Sequence, residues 1–122
     1  MEMLINGKWV ASSSKETIEV TNPYNNEFLD TVPKATKEDM DFAVAEAVKG
    51  QKEWNRKIIR ERAAILRRYL ELLNRDRDDL AKTLTLETGK PIFDSYGEID
   101  SVYMTFESSI EVVKHHYGKS MP

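Results

Sequence analysis

The first 35 residues alternate between short runs of β-prone side chains and residues that favour turns. Asn6-Gly7 separates residues 4–5 from residues 8–10, and this dipeptide predicts a two-residue hairpin because both residues tolerate a positive φ. A second pair of runs covers residues 17–21 and 28–32, and a proline, Pro23 or Pro33, closely follows each run. Strands that pair in this order would form a small antiparallel meander.

From residue 36 onward, apolar residues recur about every 3.6 positions, which is the period of an amphipathic helix. Thr36, followed three residues later by Asp39, is typical of a capping box at a helix start. Helices are predicted over residues 36–54, 60–74 and 76–88, with Gly89 as the residue that ends the third. The side chains expected to face inward are Met40, Ala43, Val44, Ala47 and Val48 in the first helix, Ala63, Leu66, Tyr69, Leu70 and Leu73 in the second, and Leu80, Ala81 and Leu84 in the third.

A fourth, longer helix is predicted over residues 92–117, with apolar residues alternately four and three positions apart. This seam is typical of the core-facing stripe of a long helix, and a docking face for a partner helix is the alternative interpretation. The expected fold class is α+β, with antiparallel strands in residues 1–35 followed by four helices in residues 36–122. The seam consists of Ile92, Tyr96, Ile99, Tyr103, Phe106, Ile110, Val113 and Tyr117.

The composition excludes several classes of protein and several kinds of functional site. Of the 122 residues, 40% are hydrophobic and 32% are charged, which is typical of a folded protein rather than a disordered one. The net charge of −3 argues against a dedicated nucleic-acid-binding protein. The chain contains no cysteine, which excludes disulfide scaffolds, thiolate metal sites and cysteine nucleophiles from these residues. No secretory signal or membrane-spanning run is visible, so a cytoplasmic location away from membranes is expected.

Residues 49–68 carry a net charge of +6. We interpret this segment as a solvated helix face or as arginines that pair with carboxylates elsewhere, with binding of an acidic polymer as the alternative. His115 and His116 are adjacent and would point about 100° apart on a helix, so they cannot share one metal ion. The five glycines are too scattered to form a phosphate-binding loop, so nucleotide binding by these residues alone is not predicted.

Glu87 is the carboxylate singled out by its position. It lies in residues 84–91, where one predicted helix ends and the next begins, and backbone carbonyl groups are exposed at a helix end. Glu87 together with nearby carbonyl oxygens is therefore a candidate site for a hard cation. An ordinary structural hydrogen bond to Glu87 is the alternative.

The chain resembles the beginning of the aldehyde dehydrogenase superfamily over almost its whole length. Asn26 departs from the family pattern, which usually has glycine there, but asparagine also accepts a positive φ. The matching segments occur in the family's order: the opening I-N-G-x-W hairpin (residues 4–10), the N-P-x-x-G-E turn (20–27), the lead into the first helix (32–47), Trp54 with residues 61–66 of the second helix, and the L-E-T-G-K-P motif (86–91) followed by Glu98.

The resemblance implies a segment of the α/β aldehyde dehydrogenase fold, with residues 36–122 in the cofactor-binding domain and the catalytic domain absent. It implies NAD- or NADP-dependent oxidation of an aldehyde to a carboxylic acid, by a cysteine nucleophile and a glutamate that activates water. In the family, these two residues and the cofactor motif lie downstream of the region that this chain matches. No catalytic and no cofactor-binding residue is therefore assigned. The isolated chain is expected to be inactive and to bind no cofactor.

The resemblance also implies a metal site and partners. Many members bind a structural monovalent cation through carbonyls before the N-P pair and an acidic residue before G-K-P, which here implies Val20, Thr21 and Glu87. The expected partners are the remainder of an aldehyde dehydrogenase chain and further copies in a homo-oligomer, through exposed helical surface. The sequences of residues 22–24 and 89–92 most resemble those of the family members that act on lactaldehyde, succinate semialdehyde or glyceraldehyde. The alternative function is a stand-alone helical interaction or oligomerisation module without catalysis.

Overall fold

The computed structural model describes residues 2–114, except for the side chain of Lys114, so His115, His116 and Tyr117 lie outside the described residues. Within this part of the chain, strands precede helices, as predicted. None of the described helices combines the length and the apolar content that crossing a membrane requires. The elements are β1 (Met3–Ile5), β2 (Lys8–Val10), β3 (Thr17–Thr21), β4 (Phe28–Pro33), α1 (Lys37–Arg56), α2 (Ile59–Arg75), α3 (Arg77–Thr88) and α4 (Ile92–Lys114).

The chain divides into two compact units. The first unit contains all four strands, α1 and the segment Leu86–Gly89 at the end of α3. The second unit contains Lys57–Thr85 and the residues from Lys90 onward, and therefore α2, most of α3 and α4. The assignment of residues 36–122 to a cofactor-binding domain stays a prediction.

The four strands form two separate antiparallel pairs, β1 with β2 and β3 with β4, rather than the single meander expected from their order. Asn6 and Gly7 have φ values of 49° and 72°, which confirms the predicted turn between β1 and β2. The polar loop of residues 11–16 separates β2 from β3, and no short turn brings these two strands side by side. Alternation of apolar residues predicts strands, but only turns and contacts decide which strands pair.

The start of α1 confirms the predicted capping box. The backbone N–H of Asp39 donates to Thr36 Oγ1 at 3.2 Å, and the backbone N–H of Thr36 donates to Asp39 Oδ2 at 2.9 Å. Two otherwise unpaired donors of the first helical turn are satisfied in this way.

The inward stripe predicted on α1 is wrong for the described chain. Met40, Val44 and Val48 are 57%, 58% and 49% exposed, Ala47 is also exposed, and only Ala43 is half-buried. The helical period identifies which face of a helix is apolar, but it does not identify what covers that face. No residue of α1 is fully buried.

The core of the second unit lies between α2 and α4. Ala63, Leu70 and Leu73 of α2 and Ile110 of α4 are buried together, with Leu66, Ile99 and Phe106 packed against them. The predicted core-facing stripes of both helices are thus confirmed at these positions. Tyr69 and Leu80, expected to face inward, are 41% and 38% exposed, although the Tyr69 ring lies 4.9 Å from that of Phe106. Ile92, Tyr103 and Val113 of the predicted α4 seam are also exposed, at 41%, 36% and 42%, so the seam prediction is wrong at these positions.

Polar contacts hold α3 to α4 within the second unit. The guanidinium of Arg77 donates to both oxygens of Asp100, at 2.8 and 2.7 Å, and lies 4.5 Å from the centre of the Tyr96 ring. These hydrogen bonds hold the pKa of Asp100 below its ordinary value and raise that of Arg77. Ser95 is fully buried and shares a 2.8 Å hydrogen bond with Thr85.

Candidate functional site

The turn between β3 and β4 is built around Asn22, which is buried. Its side-chain oxygen accepts a hydrogen bond from the backbone N–H of Tyr24 at 2.9 Å, and its backbone carbonyl accepts one from Asn26 at 2.7 Å. Asn26 has a φ of 59°, which confirms that asparagine can replace the glycine usual at this position. The Asn22 side chain therefore fixes a turn that presents Pro23 and Tyr24 outward.

The end of α3 lies directly against this turn. Gly89 follows the helix with a φ of 72°, the left-handed conformation that commonly ends helices and favours glycine. A Cβ atom at Gly89 would lie 3.0 Å from Pro23 Cγ and 3.4 Å from the backbone nitrogen of Tyr24. The absence of a side chain at Gly89 thus permits the close approach of two segments that are more than 60 residues apart in the sequence.

These two segments carry the three residues predicted to bind a cation. Val20 and Thr21 end β3, where the register of the β3–β4 ladder shifts between them. Glu87 is exposed in the last turn of α3, two residues before Gly89. The structure brings the segments together through Gly89 and Pro23, while the binding of a cation by Val20, Thr21 and Glu87 stays a prediction.

A second cluster of polar contacts, which the sequence did not reveal, centres on Asp39. Beyond capping α1, its carboxylate accepts hydrogen bonds from Ser12 Oγ at 2.9 Å and from the backbone N–H of Ser13 at 3.2 Å. The backbone N–H of Thr36 and these donors lower the pKa of Asp39 to about 2. Asp39 therefore ties the loop after β2 to the first turn of α1, and the serine run of residues 12–14 is the only hint of this in the sequence.

The β1–β2 hairpin contacts α1 through a long-range hydrogen bond. Asn6 Nδ2 donates to Glu46 Oε2 at 2.7 Å across 40 residues of sequence. Lys49, one turn along the helix, forms an ion pair with the other oxygen of Glu46. The hairpin turn is thereby attached to the middle of α1.

Among residues 2–114, no three His, Cys, Asp or Glu side chains are grouped so that they could hold a metal ion. The predicted cation site consists of two backbone carbonyls and one carboxylate, so this absence does not bear on it. In the basic segment of residues 49–68, the side chains of Lys49 and Arg68 are each 70% exposed and form ion pairs with Glu46 and Glu71 on their own helices.

Comparison with known proteins matches this arrangement to one family. A sequence model of the aldehyde dehydrogenase family matches residues 9–122. The chain is 37% identical over 121 residues to a succinate-semialdehyde dehydrogenase (NADP⁺) of Escherichia coli K12, a match that covers 99% of the chain and 25% of that protein.

Solved structures share the fold. A succinate-semialdehyde dehydrogenase from Burkholderia pseudomallei matches with a TM-score of 0.92 and 38% identity, over 99% of this chain and 25% of that one. A point mutant of betaine aldehyde dehydrogenase from Staphylococcus aureus, solved in complex with NAD⁺, matches with a TM-score of 0.84 and 32% identity, over 91% and 23%. The chain thus spans about a quarter of the length of the relatives it matches.

Proposed function

Since the chain belongs to the aldehyde dehydrogenase family, we propose that it forms the N-terminal region of an enzyme that oxidises an aldehyde to a carboxylic acid with NAD or NADP. The observation that carries this proposal is the match of residues 9–122 to the family, together with a fold that superposes on the corresponding quarter of solved dehydrogenases. The alternative of a stand-alone interaction module has no comparable support.

The role of these residues in such an enzyme is structural. The chain has no cysteine to serve as the nucleophile and no glycine-rich loop to cradle a dinucleotide, so its residues do not fit a cofactor site of their own. We therefore propose that the 122 residues alone neither bind cofactor nor turn over aldehyde. Their exposed helical surface is proposed to pack against the remainder of the dehydrogenase chain and against further copies in a homo-oligomer.

For the whole enzyme, we propose succinate semialdehyde as the first substrate to test. Relatives named for that substrate are 37% and 38% identical to this chain, one named for glutarate semialdehyde is 38% identical, and one named for malonate semialdehyde is 44% identical over 95 residues. Glutarate and malonate semialdehydes, lactaldehyde and glyceraldehyde are therefore the other substrates to compare. An aldehyde panel assayed with NAD and with NADP, on the enzyme encoded by the full reading frame, decides between them by kcat/KM.

Two experiments test the proposed role of the chain. The purified 122 residues, incubated with NAD or NADP and the aldehyde panel, should show no turnover above background, and measurable turnover would contradict the proposed inactivity. The reading frame after codon 122 should continue into a region with a cysteine nucleophile. A natural stop codon there would favour the interaction module instead.

We further propose a monovalent cation at Val20, Thr21 and Glu87. This proposal is supported by the contact of Gly89 with Pro23, which places the end of α3 against the turn after β3. Potassium or sodium chloride should raise the melting temperature of the full-length enzyme more than choline chloride at equal ionic strength. The change Glu87→Gln should abolish this difference, and Glu53→Gln, an exposed glutamate of α1, should not. An unchanged difference in Glu87→Gln would contradict the site.

A further inference from the structure

The turn of the β1–β2 hairpin is an exposed asparagine–glycine pair. The ladder of this hairpin ends with the pairing of Ile5 and Lys8, so Asn6 and Gly7 lie outside its register. Both residues are exposed, and no heavy atom lies within 4 Å of the position that a Cβ of Gly7 would occupy. Nothing in the described chain thus shields the Gly7 backbone on that side.

From this geometry we propose that the Asn6-Gly7 bond is a site of spontaneous deamidation, and that Glu46 restrains the reaction in the folded chain. The Gly7 amide nitrogen attacks the side-chain carbonyl carbon of Asn6, and the bond from that carbon to Nδ2 breaks. Nδ2 of Asn6 takes up the proton of the Gly7 amide and leaves as ammonia, while the Gly7 nitrogen stays in the ring that forms. Water then opens the resulting succinimide at either carbonyl group, which leaves aspartate or isoaspartate at this position.

Glycine is the following residue that hinders this attack least, because it has no Cβ atom beside the attacking nitrogen. The chain offers an internal comparison at Asn26. That residue is also exposed and also has a positive φ, 59° against 49° at Asn6, but it is followed by Glu27. A difference in rate between the two asparagines therefore reports on the following residue and the local contacts rather than on exposure alone.

Glu46 restrains the reaction because it holds the group that must leave. Asn6 Nδ2 donates to Glu46 Oε2 at 2.7 Å, and the side chain of Glu46 is only 11% exposed. Departure of ammonia breaks this hydrogen bond and replaces the donor by a carboxylate. Two carboxylates then face each other where a donor and an acceptor had been paired, so the product loses the contact between hairpin and α1.

The test follows the conversion of each asparagine in the 122-residue chain at neutral pH and body temperature, by peptide mapping and isoaspartate detection. Asn6 should convert several-fold faster than Asn26. The change Glu46→Ala should accelerate conversion at Asn6, whereas Glu53→Ala, on the same helix, should leave it unchanged. Equal rates at Asn6 and Asn26 would overturn the site, and equal rates in wild type and Glu46→Ala would overturn the restraint.

A second measurement covers the case in which Glu46→Ala does not fold. In wild-type chain unfolded by urea, the hydrogen bond to Glu46 is absent, so Asn6 should convert faster than in the folded chain. A rate in urea equal to or below the folded rate would overturn the restraint independently of any variant.

Discussion

The close approach of Gly89 to Pro23 leads to a prediction that the chain's own glycines can test. The change Gly89→Ala has two costs. An alanine held in the left-handed region loses about 1–2 kcal/mol relative to glycine. In addition, its Cβ would lie 3.0 Å from Pro23 Cγ and 3.4 Å from the nitrogen of Tyr24, and such overpacking typically costs about 1–3 kcal/mol.

Gly7 separates these two costs. It has the same φ of 72° as Gly89, but no heavy atom lies within 4 Å of its Cβ position. Gly7→Ala should therefore cost only the conformational term of about 1–2 kcal/mol, and Gly89→Ala should cost about 2–5 kcal/mol. Gly50→Ala and Gly97→Ala, within helices and also free of contacts, should instead stabilise the chain by about 1 kcal/mol.

Urea unfolding followed by tryptophan fluorescence is a suitable assay, because Trp9 and Trp54 both lie in the unit that contains Gly89. If Gly89→Ala and Gly7→Ala shift the midpoint equally, the contact with Pro23 contributes no stability and the reasoning fails. As a further check, the extra cost of Gly89→Ala should shrink in a Pro23→Ala background, since the clashing Cγ atom is then absent.

Three further predictions concern other contacts. Because the folded pKa of Asp39 is about 2, below the ordinary 3.8, its stabilising effect is complete above about pH 4 and disappears as the pH falls towards 2. In urea unfolding at several pH values, the wild type should lose more stability over that range than Asp39→Asn, and parallel curves would contradict the contacts assigned to Asp39. Leu70→Ala should destabilise the second unit by about 2–5 kcal/mol because Leu70 is buried. Ile65→Ala, at an exposed position of the same helix, should cost about 0.5 kcal/mol or less. Thermal melts followed by helical circular dichroism measure both losses, and comparable losses would refute the assigned core. Asn6→Asp should destabilise the chain at neutral pH because it places a carboxylate beside that of Glu46, and it should cost less in a Glu46→Gln background; equal losses in both backgrounds would show that repulsion by Glu46 is not the cause.

The features that the sequence predicted correctly are local. The positive φ values at Asn6, Asn26 and Gly89 follow from residue type, because few side chains tolerate the left-handed region. The capping box of Thr36 and Asp39 follows from a spacing of three residues at a helix start. Such features depend on atoms within one turn of chain, so a single sequence contains the information that specifies them.

The features that the sequence did not predict depend on distant residues. Asn6 and Glu46 are 40 residues apart, and neither residue type nor spacing indicates that they meet. Ser12 and Asp39 are 27 residues apart, and they meet because the fold brings the loop after β2 to the first turn of α1. The predicted cation ligands combine both kinds of information. Glu87 was singled out by its position at a helix end, whereas Val20 and Thr21 were named by the resemblance to a family. The contact of Gly89 with Pro23 supports the proximity of the two segments that carry them.

The surface of the chain explains why burial was predicted least well. Two separate compact units, each of half this mass, would together expose about 8,100 Å² by the scaling of folded proteins. The chain exposes 9812 Å², an excess of about 1,700 Å² over that expectation. The exposed side chains of Met40, Val44 and Val48, which form an apolar stripe on α1, contribute to this excess. An excess of this size is more than one partner normally buries in a standard protein interface, which is about 800 Å². The apolar stripe that the helical period predicted on α1 is therefore present in the sequence, but it stays exposed in the described chain.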